Sequence, residues 1–187
     1  PWKMDGICRR VGFYAALAIL LSSQLACDAL TISTFFGAED RARLKSLFLS
    51  TKALADLPSA HYAAFGSKLL QEKLPKPEDY CNVFKKVDQQ NVESLFHAVS
   101  GSKYVENCQV PVTEGKTTLQ NALKDDASVP QLYHAVLTLK ALGSPVDAAK
   151  VTQLLQAALK KDDSVVNLGY AFHIASVLGG NVTPFFE

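Results

Sequence analysis

The segment Ser94–Gly101 reads SLFHAVSG and the segment Gln131–Thr138 reads QLYHAVLT, so leucine, an aromatic ring, histidine, alanine and valine recur in one order 37 positions apart. Other positions keep a similar interval. Ala64, Ala98, Ala135 and Ala171 follow one another at spacings of 34, 37 and 36. Leu119, Ala122, Leu123 and Lys124 match Leu155, Ala158, Leu159 and Lys160 at an offset of 36, and Leu142-Gly143 matches Leu178-Gly179. Self-similarity at this period is the mark of stacked helical hairpins, each of which buries its apolar face only against its neighbours. A small alanine at the seam permits close helix approach. His97 and His134 then recur because the hairpin recurs, and a paired functional role for the two imidazoles is the competing reading.

The periodicity within each unit is helical. Val151, Leu154, Leu155, Ala158 and Leu159 fall on one face of a helix, as do Leu132, Ala135, Val136 and Leu139 in the preceding segment. Ser144 is expected to cap the later helix, with Pro145 at its first position and Asp147 completing a capping-box-like spacing. Gly143 stops the helix expected over 128–142, and Gly179-Gly180 stops one that begins near Ser164. Further helices are expected over 40–54, 59–71, 77–88, 91–104 and 113–124. No segment alternates with a period of two. The expected class is all-α, with stacked helical-hairpin repeats of about 34–37 residues forming an α-solenoid or a partial α/α toroid.

The first residues have a different organisation. Arg9-Arg10 precede an uncharged apolar run from Val11 to Leu21, and small and polar residues follow to Ala29. This is the layout of a secretory signal peptide. Eleven apolar residues at about 1.5 Å each reach roughly half of a ~30 Å hydrocarbon core, too little for a permanent span. Cleavage between Ala29 and Leu30 is expected, with Cys27 and Ala29 as the small residues of the cleavage site. Residues 1–29 are thus expected to be an extension with a signal peptide, and 30–187 a luminal helical domain. Pro1-Trp2-Lys3 precede Met4, the only methionine, and the expected reading is a fragment or a conceptual translation. Removing the leader takes away three of the 19 basic and two of the 18 acidic residues, so 16 of each remain. A neutral domain has no electrostatic footprint for nucleic acid.

Cys81 and Cys108 remain after cleavage, an even pair in a compartment that permits disulfides. Cys81 falls in the helix expected from Pro77 and Cys108 in the loop after Tyr104. A bond between them would stabilise by roughly 3 kcal/mol in the chain-entropy treatment. Two free buried thiols are the alternative. Asn181-Val182-Thr183 is an N-glycosylation sequon, and Pro184 directly after it lowers the expected occupancy.

Signatures of catalysis are missing. The sequence contains no HExxH, CxxC, GxSxG, P-loop or dinucleotide fingerprint. His61, His97, His134 and His173 look scattered over successive hairpins, without metal-ligand spacing. Asp125-Asp126 and Asp162-Asp163 fall at turns beside lysines and read as solvated turn residues. No catalytic residue, cofactor or metal is expected.

The stretches NVESLFHAVSGSKYVENCQV (91–110), DDASVPQLYHAVLTLKALGSPV (125–146) and KKDDSVVNLGYAFHIASVL (160–178) resemble the N-terminal luminal part of the ribophorin II family. The resemblance extends more weakly to LTISTFF at Leu30, and the two luminal cysteines stand where the family has them. It implies a non-catalytic, scaffolding subunit of the endoplasmic-reticulum oligosaccharyltransferase, supporting glycan transfer from dolichol pyrophosphate to Asn-x-Ser/Thr. The implied partners are the other subunits of that complex and nascent polypeptide. Residues 180–187 fit less well and stop short of the family's later β-rich region and C-terminal membrane helices, so an N-terminal fragment is implied, with the membrane anchor beyond it. A soluble α/α-toroid enzyme and a peptide-binding helical solenoid are the alternatives, the latter without the usual tetratricopeptide signature.

Overall fold

The computed structural model describes residues 35–180. The chain divides into two compact units, Pro1–Arg43 and Leu44–Glu187. Among the described residues there are eight α-helices and no strand, so the class is all-α: α1 Ala38–Phe48, α2 Leu57–Leu69, α3 Pro77–Phe84, α4 Val92–Ser102, α5 Gly115–Asn121, α6 Val129–Ala141, α7 Ala148–Leu159 and α8 Val165–Leu178. A 3-10 turn, Thr51–Leu54, follows α1.

Five helices begin on a side chain that satisfies a free backbone N–H of the first turn. Asp56 Oδ1 accepts from Ser59 N–H at 2.7 Å, Asn91 Oδ1 from Ser94 N–H at 2.9 Å and Asp147 Oδ1 from Lys150 N–H at 3.0 Å. Ser128 and Ser164 do the same for α6 and α8 over 3.4 Å. The cap of α7 is therefore Asp147, not Ser144. The carboxylate three residues before Lys150 takes the capping role, and Pro145 lies ahead of the helix. The helix expected over 40–54 also breaks, because Leu49 and Ser50 close α1 with turn hydrogen bonds before the 3-10 turn starts. Similarly, α3 ends at Phe84, four residues early, since Asp88 is engaged in a turn in which its carboxylate accepts from Gln90 N–H.

The packing order is regular. In the unit from Leu44 onward, α2 lies against α4, α4 against α6, and α6 against α8. The helices α3, α5 and α7 each pack against both members of the pair that they connect. Three apolar clusters follow along the chain, centred on Tyr80 and Phe84, on Leu95, Leu119 and Leu139, and on Leu132, Leu155 and Ile174. Ala64, Ala98, Ala135 and Ala171 are all buried to 1% exposure or less, which matches their expected place at the seams. Gly101 marks a close approach that involves a neighbouring backbone. A Cβ there would meet the Phe84 ring and come within 3.2 Å of His61 Cα.

The described residues with left-handed backbone are Gln71, Asn107, Gly143 and Gly179, each 36 residues after the last. At Gly143 the chain leaves α6 by bonding Ser144 N–H to Leu139 O at 2.9 Å, and Gly180 N–H bonds Ala175 O at 2.8 Å after α8. Glu72 N–H to Ser67 O repeats that bond at 2.9 Å after α2, but around a glutamine. An exposed glutamine at φ 60° carries strain that glycine relieves. Gln71→Gly is expected to stabilise the domain by about 0.5–1 kcal/mol, read as an upward shift in the urea midpoint; an unchanged or lower midpoint would contradict this account of the turn.

Candidate functional site

The repeat period returns the chain to the same face in each hairpin, so side chains 36 or 37 residues apart meet across adjacent helices. His61 on α2 is buried, and its ring centroid lies 5.2 Å from that of His97 on α4. His97 lies 5.9 Å from His134 on α6. The His134 ring stacks on Phe96 at 4.5 Å and an interplanar angle of 25°. From the neighbouring Tyr133 the row continues to Tyr170 on α8, stacked at 4.3 Å. The histidines that looked scattered in the sequence are therefore joined, three of them directly. His173 joins at the end of the row, with Nδ1 3.0 Å from the Tyr133 hydroxyl.

The Nδ1 atoms of His61 and His97 are 3.0 Å apart, so one must donate and the other accept. His97 Nε2 lies 3.7 Å from Glu93 Oε1, one turn earlier on α4. A proton on that nitrogen faces the carboxylate favourably, whereas a lone pair there would be repelled. His97 therefore carries Nε2–H and accepts at Nδ1, and His61 is the Nδ1–H donor. The two Nδ1 atoms are thereby engaged with each other, and the His97 ring is held between His61 and Glu93.

Burial, and then the fields of His97 and His134, push the His61 imidazole down to about 4. Burial and His97 push His134 down to about 4 as well, against the opposing pull of Glu93. His97 is lowered by burial, partly offset by Glu93 and the more distant Asp56. Burial of the Tyr62 and Tyr133 hydroxyls raises both, keeping them neutral. All three imidazoles are uncharged at neutral pH. An unfolded histidine takes up its proton near pH 6.5, while folded His61 and His134 wait until about pH 4. Stability is therefore full above about pH 6.5, and it falls as the pH drops towards 4. Thermal denaturation across that window is expected to show a midpoint that falls with pH, with His61 and His134 both contributing to the loss. The double variant His61→Gln/His134→Gln should show a shallower decline; an equally steep one would place the sensitivity elsewhere.

Alongside the rings runs an open groove of about 460 Å³. Phe96 and Tyr133 contribute to it from the ring row, Tyr62 and Phe65 from α2, and Tyr104 from the turn after α4. Tyr62 and Phe65 are 53% and 37% exposed, unusual for rings of this size. Lys103 and Lys140 also line the groove. Composition and helical periodicity do not point to this surface. The signal that could have found it is the repeat register itself, which puts Phe96 and Tyr133 at one position and His61, His97 and His134 at the next.

The remaining expected site residues are placed as follows. Cys81 on α3 and Cys108 after α4 form a disulfide, with Cα atoms 5.5 Å apart. Ala29, Leu30 and Asn181 lie outside the described residues. Among the described residues no three His, Cys, Asp or Glu side chains converge as a metal site would require. Asp126 is ion-paired with Lys124 at 3.4 Å, and Asp162 accepts from Ser164 N–H at 3.1 Å, so both acidic pairs have a member engaged in local turn structure.

The described residues thus form a disulfide-linked all-α domain with a row of neutral histidines inside and an aromatic groove outside. The family model described as the ribophorin II N-terminal domain matches residues 36–187, and the chain belongs to that family. Ribophorin II is a subunit of the oligosaccharyltransferase, the multi-subunit complex of protein N-glycosylation in the endoplasmic reticulum.

Proposed function

We propose that this chain is the luminal helical part of a non-catalytic oligosaccharyltransferase subunit, one that holds other subunits of the complex in place. The family match over residues 36–187 carries this reading. The site chemistry is compatible with it, since His61 and His97 are engaged with each other. Among the described residues no helix is long and apolar enough to cross a membrane. Within this reading, anchorage comes from sequence outside those residues or through partner subunits. Catalysis of glycan transfer belongs to another subunit, and this one contributes by assembly.

The measurement that tests the reading is glycan transfer normalised to assembled complex. His97→Gln/His134→Gln is expected to leave normalised turnover within about twofold, at a stability loss on the order of 1 kcal/mol per lost hydrogen bond. Ala135→Asp, which forces a carboxylate into a fully buried seam, should instead deplete the complex. If the histidine variant assembles normally yet loses most turnover, the non-catalytic assignment fails.

Entry into the luminal compartment rests on the leader. N-terminal sequencing of the processed chain should read from Leu30 through Thr31, Ile32 and Ser33. A mature form that keeps residues 11–21 would sink the luminal assignment.

A further inference from the structure

The groove beside the histidine row has a chemistry of its own, independent of the family match. It takes side chains from α2, α4, α6 and α8. Packed helices stand about 8–10 Å apart, so three steps span roughly 24–30 Å. An extended peptide rising about 3.3 Å per residue covers that distance in about eight residues.

We infer that this groove binds an extended acidic peptide segment, with apolar side chains on the exposed rings and carboxylates on Lys103 and Lys140. The ring surface is already bare, since Tyr62 and Phe65 keep 53% and 37% of their area in water. The charge in the groove has one sign. Its lining includes Lys103 and Lys140 and no aspartate or glutamate. Neither lysine makes an ion pair among the described residues. The two lysines are 37 residues apart, the same interval as His97 and His134. They fall at the C-terminal ends of the neighbouring helices α4 and α6, and axes of packed helices stand about 8–10 Å apart. Carboxylates two or three residues apart on an extended strand lie about 7–10 Å apart and match that spacing.

The same inventory disfavours a glycan as occupant. A sugar presents rows of hydroxyl donors, which carboxylate and carboxamide oxygens accept well. The lining holds no Asp, Glu, Asn or Gln. Its hydroxyls can donate or accept, but its only charged groups are the two ammonium groups of Lys103 and Lys140, and these call for an acceptor with negative charge.

The test is fluorescence anisotropy on the intact, disulfide-bonded chain. The probe is a labelled, N-acetylated octapeptide alternating leucine or tyrosine with glutamate. The control replaces glutamate with lysine, and an N-acetylglucosamine oligosaccharide serves as competitor. The glutamate peptide is expected to saturate and to weaken with added salt, and neither control should displace it. Lys103→Gln/Lys140→Gln should weaken binding at least tenfold, and Tyr62→Ala several-fold. These side chains are exposed, so the thermal midpoints should stay near that of the parent, which separates loss of binding from loss of fold. No saturation at millimolar peptide, equal binding of the lysine peptide, displacement by the oligosaccharide, or unchanged affinity in the double lysine variant would each overturn the inference.

Discussion

Close approach of α2, α4, α6 and α8 is the constraint on which the other features depend. It is possible because the seams carry alanine and glycine, with Ala98, Ala135 and Ala171 fully buried and Gly101 leaving room for the Phe84 ring and the backbone at His61. A methyl group at Gly101 would force α3 and α2 outwards. The ring contacts between α2 and α4 would open with them. Short helix separation thus sets the distance at which His61 meets His97 and Phe96 meets His134. The groove, in turn, takes its span from the number of such steps. Backbone geometry, core and surface share one interval, and the left-handed residues at Gln71, Asn107, Gly143 and Gly179 mark it.

Placing imidazoles at these seams has an energetic logic. A buried histidine is tolerated if it stays neutral and its nitrogens find partners. His97 meets both conditions, with His61 at one nitrogen and Glu93 at the other, and His61 stays neutral with its Nδ1 on His97. The arrangement joins two helices through a directional bond where leucines would give only non-directional contact. It also means that the histidines most prominent in the sequence are occupied structurally, while the accessible chemistry belongs to tyrosines and lysines beside them.

The helical class and the stronger helices were legible because their signals are local. The helices expected from Ser128 and from near Ser164 start there, each capped by that serine, and Gly143 and Gly179 stop the chain where expected. The errors arose where two local signals competed. Ser144-Pro145 read as the start of α7, with Asp147 inside the helix, but the carboxylate nearer the apolar run takes the cap. The same holds at the end of α3, where Asp88 satisfied a turn in preference to a further helical turn. The groove was only partly legible: the register aligns Phe96 with Tyr133, but Tyr62, Phe65 and Tyr104 recur at no shared interval. Their proximity depends on how α2 and the turn after α4 lie together, which is a tertiary property. The histidine row was half legible: the recurrence was visible, but the contact between recurring residues needed the helix separation.

The Cys81–Cys108 bond closes a ring of chain around α4, because one sulfur lies before that helix and the other after it. Tension applied along the polypeptide would pass through the covalent bridge and bypass everything between residues 81 and 108. The helix inside the bridge, with His97 and Phe96 on it, is thereby removed from the load path. Under tension along the chain, the helices outside the bridge would bear the load, and the bridged helix would be spared it.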